Sequence, residues 1–435
     1  MWSLRIASGV LALSLAGCGL VPAPQQSAPA TRETTENPSD VVTKSLDDVQ
    51  RYWAGAFPGI AGGRKFQPIR GGFHPYTERK LPPDCGGHAA SYQPNAFYCP
   101  DGDYIAWDAQ NLIPQLQENF GPLLVGVVMA HEYGHAVQVR LGDTGQPTVV
   151  LEQQADCFAG SWLADVRAGH SSAFKNITAA QLDDTVAGIL MLRDQPGTSA
   201  VADGAHGNAF DRVRAFQEGF EQGPTQCAGY NADNLPVTEV PFSSEKEAES
   251  GGDLPYDDAV NLLSKDAEEY WARTLPEISD NQWQQVDVRP FDAGAPPDCD
   301  QPDAAAEGAA FYCPPGNFIA FDNADLGPTL YDRIGDYAVG MLLGDLFARA
   351  AQHQRGASTG DKAGQLTVDC LAGSWTNDLL TRDDADQGIR LSPGDLDEAV
   401  AALIAFGRAG EGGPTAFDRI SAYRKGVLEG YGVCV

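Results

Sequence analysis

Five residues of this chain, HEYGH at 131 to 135, have the types and spacing of a zinc-binding helix. A helix sets residues i and i+4 one turn apart on one face, so His131 and His135 can grip one ion together. Glu132 lies one position round the helix, where its carboxylate can reach a water on that ion without ligating it. Zinc brings the pKa of such a water down to about 7, so a carboxylate can take its proton as it attacks a peptide carbonyl. Two histidines leave the ligand set incomplete. The stretch LEQQADCFAGSW offers Glu152, seventeen residues after His135, with Asp156 four residues further on the same helix face.

These residues need elements to hold them. Leu123, Leu124, Val127, Val128 and His131 recur at helical spacing, which predicts a helix with one apolar face toward the core. Further helices are expected over about 44–54, 148–168, 178–193 and 208–221. Turn residues before YIAW predict a short strand with Cys99 just ahead of it. The whole reads as a helix-rich α+β unit.

That unit occurs twice. PPDCGGHAASYQPNAFYCPDGDYIAWD and PPDCDQPDAAAEGAAFYCPPGNFIAFD align without a gap at an offset of 214, ADCFAGSW matches VDCLAGSW, and AFDRVRAF matches AFDRISAY. We read an internal duplication with four cysteines per copy. The simplest pairing survives duplication intact: Cys85 with Cys99, Cys157 with Cys227, Cys299 with Cys313, and Cys370 with Cys434. Free buried thiols and cysteine metal ligands are the competing readings.

The second copy serves as a control. Opposite VGVVMAHEYGHAVQ stands VGMLLGDLFARAAQ, so His131 faces Asp345, Glu132 faces Leu346 and His135 faces Arg349. Glu152 faces Gln365, and His206 faces Gly413. Every residue needed for zinc chemistry is replaced, while cysteines, tryptophans and most apolar positions stay. Loss of His206 with the ligands suggests that it steadies the oxyanion opposite the metal, against the plainer reading of an exposed loop histidine. Asp156 persists as Asp369, so a structural role competes with a hydrogen bond to a ligand histidine. Tyr98 and Tyr104 face Tyr312 and Phe318 and read as structural. His74, His88 and His170 read as surface residues.

The spacing of HEYGH and Glu152 resembles the gluzincin arrangement. That resemblance implies a ligand set of His131, His135, Glu152 and a water, one zinc per chain in the first domain, with Asp156 bonded to a ligand histidine. AHEYGHAVQ, then LEQQADCFAGSW, then HGNAFDRVRAFQEGF ahead of Cys227 together resemble the putative neutral zinc metallopeptidase family of bacteria over about residues 44 to 230. Membership would imply zinc-dependent peptide-bond hydrolysis on a zincin-like fold. Asn208 and Ala209 stand where Ser or Thr is commoner in that family.

The N-terminus, MWSLRIASGVLALSLAGCGL, has Arg5, a short apolar run and an ending that resembles a lipobox, which implies cleavage before Cys18 and a lipid on its thiol. Residues 1–18 are thus expected to be a signal, 19–40 a flexible tether, 41–230 the peptidase domain, 231–254 a linker and 255–435 a degenerate copy. The chain has 435 residues, 43% of them hydrophobic, and a net charge of −30, which argues against nucleic acid as a partner. The expectation is an exported, lipid-anchored peptidase on the outer face of a bacterial membrane, acting on peptides or proteins. A zinc- or substrate-binding lipoprotein without hydrolytic activity is the competing reading.

Overall fold

The computed structural model describes residues 36–87, 91–199, 205–238, 240–292, 294–306, 308–382, 388–406 and 413–435. The lipobox Cys18, the signal and most of the tether lie outside these residues, as does His88. No helix among the described residues is long and apolar enough to cross a membrane.

The first half runs α1 (Pro38–Ile60), β1 (Gly72–Tyr76), β2 (Ala96–Cys99), β3 (Tyr104–Asp108), α2 (Leu112–Phe120), α3 (Pro122–Leu141), α4 (Thr148–Arg167), α5 (Ala179–Met191), α6 (Ala209–Gln222) and the short α7 (Pro224–Ala228). After α8 (Glu245–Ser250), the second half runs α9 (Tyr256–Ile278), β4 (Asp287–Phe291), β5 (Asp303–Ala306), β6 (Ala310–Cys313), β7 (Phe318–Asp322), α10 (Leu326–Arg333), α11 (Asp336–Gln354), α12 (Lys362–Leu380), α13 (Asp395–Phe406) and α14 (Ala416–Glu429). This is a helix-rich α+β fold with two small mixed sheets. Their orders are β1-β3-β2 and β4-β7-β6-β5.

The first helix is longer than its apolar pattern predicts. Asn37 caps it by accepting from Ser39 N–H, Pro38 opens it, and it continues past Pro58. The helical region from Leu112 is broken at Gly121, whose φ of 83° precedes Pro122 at the first turn of α3. Two strands lack a readable signal. Residues Ala96–Cys99 pair antiparallel with β3, so Cys99 ends a strand, and β1 pairs parallel with β3 despite Pro75.

α3 departs most from expectation. It is buried almost all round rather than along one face, because α1, α2, α4, α5 and β2 all pack against it. Its polar residues therefore sit inside the protein and need partners there. α4 and α6 touch along their backbones: a Cβ on Gly160 would come within 1.9 Å of Phe216 O, and one on Gly219 within 1.8 Å of Cys157 O. Gly373 and Gly426 do the same for α12 and α14. The four expected cysteine pairs all lie at disulfide distance, with Cα separations of 5.5–5.9 Å.

The two halves belong to one compact unit. Their contact is reciprocal. Asp397 on α13 accepts the Phe210 N–H at the start of α6 (3.1 Å), and Asp183 on α5 accepts the Phe417 N–H at the start of α14 (2.9 Å). Such exchange is the pattern of a two-fold symmetric interface. Within the stretch 231–254, read from sequence as a linker, Pro236 and Thr238 are bonded to the first half and Leu254 to the second: Asp211 accepts the Thr238 N–H, Arg214 donates to Pro236 O, and Asp336 accepts the Leu254 N–H.

Candidate metal centre

α3 carries His131, Glu132 and His135; α4 brings Glu152 and Asp156 against them. His131 Nε2 lies 3.2 Å from Glu152 Oε2, and His135 Nε2 lies 3.5 Å from Glu152 Oε1. Ligand atoms of the three residues all fall within 4.8 Å of one another. The other ring nitrogens face away. His131 Nδ1 is 2.7 Å from Asp156 Oδ1, and His135 Nδ1 is 2.9 Å from Gln138 Oε1. Acceptors at both Nδ1 atoms fix a proton there, so the Nε2 atoms are the ones that face Glu152 and are placed to meet a metal.

Each orienting group is itself held. Arg212 on α6 donates to Asp156 from Nε (2.8 Å) and Nη2 (3.0 Å), and Gln138 donates to Leu151 O at 2.6 Å. Asp156 therefore holds the His131 ring, and it pairs with Arg212 as well. Gln138 and Arg212 escaped the sequence reading because Gln352 and Arg419 stand at the matching places in the aligned stretches of the second half. The available signal for Gln138 was its position, one turn after a ligand histidine.

Glu132 is buried, and its Oε2 accepts the backbone N–H of Tyr98 on β2 at 2.9 Å. Burial, helped by the charge on Glu152, pushes its pKa up to about 7. Burial disfavours charge on His131, yet Asp156 and Glu152 outweigh it and raise its pKa to about 10. Burial acts against Glu152 too, but the two histidines hold its carboxyl well below the usual range. A metal would compete for the site as a cation among carboxylates.

The donor set fits zinc. Glu152 lies beside two imidazole nitrogens that point at its carboxylate, and nitrogen and carboxylate donors are among zinc's usual ones. The residues line a cleft of about 710 Å³. Its walls include Ala96 and Tyr98 of β2, Leu116, Val128, Met191 and Arg193. His206 lines the same cleft, in the loop before α6. Its side chain is 48% exposed, its Nδ1 lies 3.4 Å from Asp194 Oδ1, and Asp194 Oδ2 accepts its backbone N–H. The structure brings His206 to the cleft without a hydrogen bond to Glu132. His170 is exposed, as expected, whereas His74 is half-buried, its ring edge-on to Tyr104.

Two histidines and a glutamate on consecutive helices, beside a buried carboxylate, make up the donor arrangement of zinc hydrolases. The chain belongs to the family described as Putative neutral zinc metallopeptidase, whose sequence profile matches residues 8–230. An uncharacterized protein of Mycobacterium tuberculosis H37Rv is 29% identical over 181 residues, 35% of this chain and 59% of that protein. The uncharacterized protein YpfJ of Escherichia coli K12 is 31% identical over 168 residues, 33% of this chain and 56% of that protein. The chain thus spans just over half the length of these curated relatives. No solved structure matches it.

Proposed function

We propose that this protein is a zinc-dependent peptidase whose first half carries the active site and whose second half is a tandem copy that has lost it. One observation carries the reading: the Nε2 atoms of His131 and His135 face Glu152, while Asp156 and Gln138 anchor both Nδ1 atoms. Zinc held by these three residues would supply a Lewis acid and an acidified water.

The chain's own groups do the rest. Glu132 acts as the general base, and burial raises its proton affinity toward the range that this work requires. The Tyr98 N–H fixes that carboxylate at the mouth of the cleft. Asp156 and Arg212 keep the His131 ring from turning. His206, across the cleft, steadies developing negative charge on the substrate oxygen.

A substrate peptide lies along Ala96 to Tyr98 of β2, which line the cleft beside Glu132. The Leu-Ala-Gly-Cys ending at Cys18 further supports an extracytoplasmic, lipid-anchored location.

The test compares zinc content and casein-type proteolysis of the full chain with Glu132→Gln and His135→Ala. The Gln variant is expected to keep zinc and lose hydrolysis; the Ala variant loses both. Wild type that holds zinc yet cleaves nothing across a broad peptide library would overturn the peptidase reading.

A further inference from the structure

In the second half, four carboxylates converge where the segment before α9 meets the first turns of α11 and α13. Asp253 lies in that segment, Asp336 opens α11, and Asp395 and Glu398 lie in the first turn of α13. One carboxylate oxygen each from Asp253, Asp336 and Glu398 lies within 4.8 Å of the other two. Asp336 and Asp395 are buried, and Asp253 and Glu398 are half-buried.

Like charges out of water repel one another and call for a cation or a proton. Burial first, and then one another's charge, push the proton affinities of Asp336, Asp395 and Glu398 up. The groups that bear most on these three are carboxylates, the Ser392 hydroxyl and backbone N–H groups, and Arg382 and Arg390 line the same cavity as Asp336 and Asp395.

Asp336 adds an observation that acidity alone does not supply. Its Oδ2 accepts the Leu254 N–H at 2.9 Å, while Oδ1, on a residue only 4% exposed, has no hydrogen-bond partner. A buried carboxylate oxygen without a partner is costly. Glu398 is fixed in place as firmly. Its Oε2 accepts the Tyr337 N–H at 2.9 Å, and its carboxylate lies over Gly335, where a Cβ would meet it at 2.1 Å. Glycine at 335, with a φ of 141°, permits that approach.

We infer that Asp253, Asp336 and Glu398 form a calcium site, with Asp395 as the charge beside it. Calcium takes oxygen ligands at about 2.3–2.6 Å in irregular shells, so oxygens within 4.8 Å of one another can all touch one ion. Magnesium demands a tighter octahedron, and zinc prefers nitrogen and sulfur. The site belongs to the second half alone, since Pro122 and Gln181 stand in the first half where Asp336 and Asp395 stand in the second. Calcium there would tie the segment joining the halves to α11 and α13. Asp397, next to Glu398, in turn holds the start of α6 and pairs with Arg193 at 3.1 Å.

The test uses the full chain, stripped of divalent ions and given one equivalent of zinc, with calcium binding followed by calorimetry and by melting. One calcium per chain and a higher Tm in millimolar calcium are expected, with a smaller rise in magnesium. Asp336→Asn and Glu398→Gln each abolish the calcium rise, while His131→Ala, which removes a zinc ligand, keeps it. Without calcium, Asp336→Asn melts no lower than wild type, because it removes one of the repelling charges; with calcium the order reverses. No calcium heat and an unmoved Tm would overturn the site and leave a proton-sharing cluster in its place. An equal calcium rise in both carboxylate variants would also overturn it, by placing the ion elsewhere.

Discussion

In the first half, Asp156 binds Arg212 and turns its other contact to the Nδ1 of His131. In the second, Asp369 binds Arg419, and Arg419 also reaches Asp345, which stands where His131 stands. Arg349, at the place of His135, donates to Asp345 at 2.7 Å and to Asp303 at 3.0 Å. Around the second site three aspartates face two arginines. Around the first, Arg212 pairs with Asp156, and Glu132 and Glu152 lie beside two histidines whose Nε2 atoms point inward. The second half thus closes this place with guanidinium groups of its own chain, whereas the first holds imidazoles there, which under the proposed function leaves the place to a cation bound from outside.

The largest break in this symmetry should come from Glu132→Gln. Leu346 shows that the scaffold tolerates loss of the carboxylate, so we expect peptide-hydrolysis kcat/KM to fall by about 10²–10⁴ with zinc content unchanged. Next is Arg349→Ala, which removes the guanidinium from Asp303 and leaves Asp345 its contact with Arg419. Loss of one partner from a buried pair costs about 3–5 kcal/mol, to be read as a lower denaturant midpoint with zinc content unaltered. Asp156→Asn sharpens the comparison further. Loosening a ligand histidine costs about 10–100-fold in metal affinity, measured by competition with a chelator, while Asp369→Asn should leave zinc affinity where it was. The smallest effect is expected for Gln138→Ala, at about the tenfold end of the same range, because His135 loses an orienting acceptor but keeps its place on α3.

Much of the site was legible because coordination chemistry restricts residue types and spacing. HEYGH and Glu152 announce themselves, and their replacement by DLFAR and Gln365 marks the same residues from the other direction. The contrast between copies was blind to groups that both copies keep. Asp156, Gln138 and Arg212 all recur in the second half, so only distances show that they also serve the histidines. The Tyr98 contact to Glu132 is made by a backbone N–H, which carries no residue signature at all.

In the fold, helices with caps and periodicity were readable. The strands were less so: Gly72–Tyr76 contains a proline and no apolar alternation, and its place is set by parallel pairing with Tyr104–Asp108. α3 looked amphipathic because sequence shows its own pattern and not the five elements that surround it.

The central proposal is a single zinc site per chain that Glu152 completes. Its most direct test is zinc content per chain, after dialysis against limiting free zinc, for wild type and for Glu152→Gln, which installs the residue the second half carries. The account predicts one zinc in wild type and none, or a loosely held one, in the variant. Two zinc ions in wild type, or a zinc retained at full affinity by Glu152→Gln, would contradict it.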